Sequence, residues 1–191
     1  MKIACLGTSA NPPHLGHLKI AQIILRKKLV DQVWIIPSHH HAFGKPLLPW
    51  KCRWSMVKML TNKRIKACDI ESKRRGKSYT VGTVLALKKQ YPQHEFYWII
   101  GADIVQKKEY LKWHKWEQLK NNINFIVLQR SGYVLSKPSK VFNKIIKFDV
   151  PISSTQIRSR LSKNLSINRL VTPKIAKYLK YLQNHNLLSY K

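Results

Sequence analysis

The chain has 191 residues, of which 36 are Lys or Arg and 8 are Asp or Glu, for a formal net charge of +28 at pH 7. A chain of that length buries about 70% of its unfolded surface, and 44% hydrophobic with 10% aromatic residues supply a core, which excludes general disorder despite the charge. No apolar run nears the roughly 18 residues of a membrane helix, and Met1-Lys2-Ile3-Ala4-Cys5-Leu6 turns polar at Gly7-Thr8-Ser9 before a secretory signal could form, so the expectation is a cytoplasmic protein.

In chain order, runs of mainly Ile, Val, Phe and Trp at residues 3–6, 33–36, 64–68, 96–100, 123–128 and 145–148 predict strands covered on both faces. Helical spacing lies between them. Residues 17–29 put Leu18, Ala21, Ile24, Leu25 and Leu29 near a 3.6-residue period, and residues 80–90 do so with Val84, Leu85 and Leu87. This alternation predicts an α/β fold with an open sheet. After Phe148 the strand-like runs stop and two helices follow; Thr172-Pro173 starts the second, with Ile175, Ala176, Leu179 and Leu182 on one face. The chain reads as one domain over 1–191, a sheet core over 1–150 and a helical extension over 151–191. Segments 37–49 and 130–138 are its long or polar loops. Cys5, Cys52 and Cys68 are odd in number, widely spaced and outside any CxxC pair, which disfavours a disulfide framework or a zinc site.

The stretch Gly7-Thr8-Ser9-Ala10-Asn11-Pro12-Pro13-His14-Leu15-Gly16-His17 follows the first strand and opens the first helix. In open α/β sheets ligands bind at such strand ends. Small residues let main-chain N–H groups approach a phosphate, and the helix start adds about half a positive charge. His14 and His17, three apart, share a face of a helical first turn and can touch one anion; Gly16 leaves room for it. Far along the chain, Ile152-Ser153-Ser154-Thr155-Gln156-Ile157-Arg158 repeats the device. Ser153 and Ser154 are N-cap candidates, and Arg158 tilts back toward that helix start, where its fork can grip phosphate oxygens.

The His14-Leu15-Gly16-His17 signature resembles that of the HxGH nucleotidyltransferases, and the whole chain is similar to bacterial nicotinate-nucleotide adenylyltransferases. Ser78-Tyr79-Thr80-Val81-Gly82-Thr83-Val84 resembles that family's SYTxDTL element, and Trp98-Ile99-Ile100-Gly101-Ala102-Asp103 its IIGAD strand end. Trp113-His114-Lys115-Trp116 resembles its WH element, Gln129-Arg130-Ser131-Gly132-Tyr133 its NRPGY loop, and Val171-Thr172-Pro173 through Leu188 to Tyr190 its closing helix. The resemblance implies a Rossmann-like, doubly wound open parallel sheet with a small C-terminal helical extension. It implies an enzyme that joins nicotinate mononucleotide to ATP, giving nicotinate adenine dinucleotide and pyrophosphate in NAD biosynthesis.

The roles it implies are specific. His14, His17 and Arg158 are catalytic, with His17 the principal transition-state stabiliser. Gly7, Thr8, Ser9, His14, His17, Gly101, Asp103, Ser154, Thr155 and Arg158 bind ATP, while Lys45, Thr83 and Trp113 serve the nicotinate nucleotide, the indole stacking on the pyridine ring. Mg²⁺ is expected mainly on the ATP phosphates, with Asp103 the protein candidate nearby and no dedicated metal site. Three departures stand out. The family's GG[ST]F[ND]P turn lacks its second glycine and its Phe, at Thr8 and Ala10; the acid of SYTxDTL is Gly82; and the 38–45 loop carries His39-His40-His41.

Those three histidines read as a solvated loop, Trp116 as core, and Lys73-Arg74-Arg75-Gly76-Lys77 as a solvated basic turn. Most of the positive charge exceeds what two anionic substrates need. It would steer nucleotides and favour non-specific nucleic acid contact, and a homo-oligomer is also expected as a partner state. Two alternatives stay open: the same chemistry on nicotinamide mononucleotide or phosphopantetheine, and a basic nucleic-acid-binding protein on an inactive nucleotidyltransferase fold.

Overall fold

A computed structural model describes residues 1–129, 132–133, 135, 139–142 and 144–188. Arg130 and Ser131 of the expected 129–133 loop, and Ser189 and Tyr190 of the closing segment, fall outside them.

The strands are β1 (Lys2–Thr8), β2 (Gln32–Pro37), β3 (Ile65–Ala67), β4 (Glu95–Gly101), β5 (Asn124–Gln129) and β6 (Lys144–Lys147). All six expected runs form strands, their ends displaced by one or two residues. They pair in parallel in the order β3-β2-β1-β4-β5-β6. The order reverses between β1 and β4, so the crevice beyond the carboxyl ends of those two strands is where such a sheet takes ligands. Gly7 and Thr8 end β1 and Gly101 ends β4. The motif reading therefore lands at the switch point.

Helices cover both faces: α1 (Leu15–Arg26), α2 (Trp50–Lys58), α3 (Thr80–Gln90), α4 (Ala102–Gln106), a 3₁₀ turn (Glu109–Lys112), α5 (Trp116–Lys120), α6 (Ser154–Ser162) and α7 (Pro173–Asn184). Alternation along each strand divides the core in two. Ala4, Leu6, Tyr97, Ile99, Ile126 and Leu128 face one side with Ile24 of α1, Val57 of α2, Ile157 of α6 and Leu179 of α7. Ile3, Cys5, Trp98, Ile100, Phe125 and Val127 face the other, with Val84 of α3 and Leu119 of α5. Burying each such side chain contributes about 1.5–3 kcal/mol, so α6 and α7 are held to the sheet by the same layer as α1.

Helix α1 begins two residues before its expected start, because His14 caps it from outside. Helix α2 fills the place that the alternation gives a helix between the second and third strands, although periodicity sets no bounds for it. Its buried face is Arg53, Met56 and Val57, flanked by Trp50 and Trp54, and an arginine there hides the apolar stripe that periodicity seeks. Cys5 and Cys68 are buried and Cys52 half-buried, all three free. Burial pushes the Cys68 thiol up to about 11, so it stays protonated and unreactive at neutral pH.

Candidate active site

The turn after β1 is organised by its own side chains. His14 has extended backbone, φ −147° and ψ 173°, and is the N-cap of α1. Its Nδ1 accepts from the Gly16 N–H at 3.1 Å, while the His17 Nδ1 accepts from the His14 N–H at 3.1 Å. A nitrogen that accepts a main-chain N–H carries no proton, so the neutral form of each ring holds its hydrogen on Nε2. The His17 Nε2 lies 2.8 Å from the Thr8 Oγ1, which also accepts from the Ala10 N–H at 3.1 Å. Each imidazole is thereby oriented as a donor. Both rings are 8% exposed, with centroids 3.9 Å apart. His14 is thus a cap beside the helix, and a Cβ on Gly16 would fall 2.7 Å from its Nδ1: the glycine makes room for the His14 ring.

The late helix docks on this turn. Ser153 caps α6 by accepting from the Gln156 N–H at 3.1 Å. Ser154, the other expected cap residue, is instead the first residue inside the helix, and its hydroxyl donates to the Pro12 carbonyl at 2.9 Å. Arg158 reaches back as its helical position dictates, donating from Nη1 to the Asn11 carbonyl at 2.9 Å and from Nη2 to the Thr155 hydroxyl at 3.2 Å. Two helix starts separated by more than a hundred residues therefore meet over Asn11 and Pro12. Their dipoles and N–H groups share one neighbourhood.

Beside the turn opens a cavity of about 580 Å³. Gly7, Thr8 and Ser9 form one side, Trp98, Gly101, Trp113 and His114 another, and Ser38, His41, Phe43, Glu71, Ser78 and Tyr79 the rest. Gly7 is glycine for packing, since a Cβ there would lie 2.4 Å from the Trp98 ring. Trp113 lines the cavity half-exposed while Trp116 is buried at 8%, as the sequence suggested. His114 stacks on Tyr79 with centroids 4.4 Å apart.

Of the residues expected on the nicotinate side, Trp113 lines the cavity, but two others do not. Thr83 is wholly buried behind the wall, its hydroxyl donating to the Glu71 Oε1 at 2.8 Å. Lys45 is exposed, in the loop that carries His41 and Phe43. Asp103 sits in the first turn of α4, with its Oδ1 2.2 Å from where a Cβ on Gly101 would fall. Arg53 and Glu71 were missed altogether: an arginine in a helix and a glutamate in a basic turn read as solvated by default, yet they are 1% and 5% exposed. The His39-His40-His41 loop is only partly solvated, since His39 packs on Trp50 at 5.1 Å and His41 enters the cavity wall. Burial and nearby positive charge hold both rings below the usual 6.5. Among the described residues no group of three or more His, Cys, Asp or Glu gathers to hold a metal, and no helix is long and apolar enough to cross a membrane.

Residues 5–160 match the cytidylyltransferase-like family. The chain is 38% identical over 179 residues to a protein of Shouchella clausii named probable nicotinate-nucleotide adenylyltransferase, covering 91% of each. It is 35% identical to the nicotinate-nucleotide adenylyltransferase of Bacillus subtilis, over 93% of this chain and 95% of that one. The chain belongs to the nicotinate-nucleotide adenylyltransferase family. In fold it is similar to the Plasmodium falciparum nicotinic acid mononucleotide adenylyltransferase solved with NaAD, with a TM-score of 0.77 and 22% identity over 97% of this chain and 98% of that one.

Against that family, two departures have physical explanations here. Thr8, at the place of the second glycine, supplies the hydroxyl that joins the turn to His17. Gly82, at the place of the SYTxDTL acid, lies under the Arg74 guanidinium, where a Cβ would fall 2.0 Å from Nη2. Arg74 instead donates to Thr83 at 3.3 Å.

Proposed function

We propose that the protein is a nicotinate-nucleotide adenylyltransferase in which the 5′-phosphate of nicotinate mononucleotide attacks the α-phosphorus of ATP. A bond forms from the acceptor phosphate oxygen to that phosphorus. The bond to the oxygen bridging the α- and β-phosphates breaks, and pyrophosphate leaves with the electron pair. The chain's task is placement and charge neutralisation. The observation that carries this reading is the docking of α6 on the β1–α1 turn through Ser154 and Arg158, with an aromatic-lined cavity opening beside it.

His14 would donate from Nε2 to the triphosphate; His17, whose Nε2 faces the Thr8 hydroxyl, would exchange that contact for a phosphate oxygen and act most strongly as charge builds on the leaving group, and Thr8 and Ser9 would approach phosphate through the turn. Ser154, Thr155 and Arg158 would hold the outer phosphates. A unit charge about 4 Å from a phosphate oxygen is worth on the order of 4 kcal/mol at an effective dielectric of 20, so a few such groups suffice. Gly7, Gly101 and Asp103 would border the adenosine portion, and Trp113 would stack on the pyridine ring. Lys45 and Thr83 would act at the edge of, or from behind, the nicotinate wall. Mg²⁺ fits this donor set as part of the ATP substrate, since it binds through one or two carboxylates plus phosphates and water, and Asp103, in the first turn of α4 after Gly101 of the cavity wall, would supply a carboxylate. When bound it neutralises phosphate charge.

Pyrophosphate release tests the reading. With ATP and Mg²⁺, turnover with nicotinate mononucleotide should exceed that with nicotinamide mononucleotide or phosphopantetheine; a preference for either of those moves the assignment to its class. Salt-sensitive RNA binding with no turnover would replace it with nucleic-acid binding.

A further inference from the structure

The loop joining β2 to α2, residues 38–49, contains neither helix nor strand, yet it supplies Ser38, His41, Ala42 and Phe43 to the cavity wall. Two buried charges hold it. The Arg53 guanidinium donates to four main-chain carbonyls: Leu48 from Nε at 2.8 Å, Ser38 and Ser9 from Nη1 at 2.6 and 3.0 Å, and His39 from Nη2 at 3.1 Å. Its face also covers Trp50, 5.4 Å from the ring centroid. From the other direction the His39 N–H donates to the Glu71 Oε2 at 3.3 Å and to the Ser78 Oγ at 3.1 Å, which takes the His40 N–H as well at 3.3 Å.

A buried arginine carries a desolvation penalty that an apolar residue of similar volume would not. Burial pushes its guanidinium down to about 10, which leaves it charged at neutral pH. Stability alone does not call for it. What it supplies that no aliphatic side chain can is a rigid fork of N–H donors, and here the fork joins both ends of the loop, at Ser38–His39 and Leu48, to Ser9 of the phosphate turn.

We infer that Arg53, opposed by Glu71, is a positioning residue that fixes the acceptor-side wall against the phosphate turn. The inference rests on the function proposed above for the identity of the acceptor. Three of the four carbonyls belong to the loop, and the turn has independent ties through His17, Ser154 and Arg158. Loss of the fork should therefore weaken acceptor binding more than ATP binding.

Two readouts on the full chain test it. Phe43 is 74% exposed on the loop and reports on it through chymotrypsin cleavage at that bond; in Arg53→Met, cleavage after it should quicken about tenfold or more while cooperative thermal unfolding persists. KM for nicotinate mononucleotide should rise about tenfold, with KM for ATP and kcat within about threefold, and Arg53→Lys should fall between variant and parent because a point charge cannot span the same carbonyls. If Arg53→Met does not fold, Arg53→Lys and Glu71→Gln carry the same comparison. Unchanged cleavage and KM, or two KM values rising together while kcat falls, overturns the inference. A parent without turnover defeats the functional reading instead, and the cleavage arm still judges the clamp.

Discussion

The β1–α1 turn and the wall formed by residues 38–49 border the same cavity, but they are built by different means. In the turn, side chains bond to main chain two or three residues away: His14 to Gly16, His17 to His14, Thr8 to Ala10. In the wall, Arg53 reaches Leu48 five residues away, and otherwise Arg53 and Glu71 hold main chain 14 to 44 residues distant. Short-range bonding shapes the turn locally before α6 docks on it through Ser154 and Arg158, whereas the wall exists only once the sheet has brought its parts together.

The contrast predicts opposite kinetic signatures. His17→Ala should lower kcat about 10²–10³-fold, because it removes a donor to developing charge, and leave KM for the acceptor within about threefold. Trp113→Ala should raise the acceptor KM about tenfold through lost stacking and leave kcat nearly unchanged. Steady-state kinetics with each substrate varied in turn decides it; matching signatures from both variants would erase the distinction.

A smaller effect sharpens the account of the wall. Burial pushes the Glu71 carboxyl up, opposed by hydrogen bonds from Ser78, Thr83 and the His39 main chain and by the charge of Arg74. Folding therefore favours its neutral form. That contribution is complete below the ordinary value of 4.5 and is lost as the pH rises through the raised folded-state value. Urea unfolding of the parent and of Glu71→Gln, from pH 4.5 upward to about 7, should show the variant gaining stability relative to the parent as pH rises. A difference that shrinks over that window would contradict the assignment.

The same division explains what the sequence disclosed. The six strands and α3 are visible because alternation and 3.6-residue spacing are local, and the HxGH turn because its residues are neighbours. The bounds of α2 are not legible because Arg53 occupies its buried face. The motif alone places Thr83 at the pocket, whereas its register in α3 turns it toward Glu71. The sequence suggests Gly16 as space for a ligand, and the structure fills that space with the His14 ring. Each of these depends on which distant group packs against the residue.

The central claim is that the beginnings of α1 and α6 act on one triphosphate. A double-mutant cycle on kcat/KM for ATP, using His17→Ala, Arg158→Ala and the pair, tests it most directly, with thermal unfolding to establish that all four proteins fold. Each single variant should lose about 10²-fold, and the pair at least tenfold less than the product of the two losses, because groups acting as a unit are not additive. Strictly multiplicative losses would contradict a shared cradle.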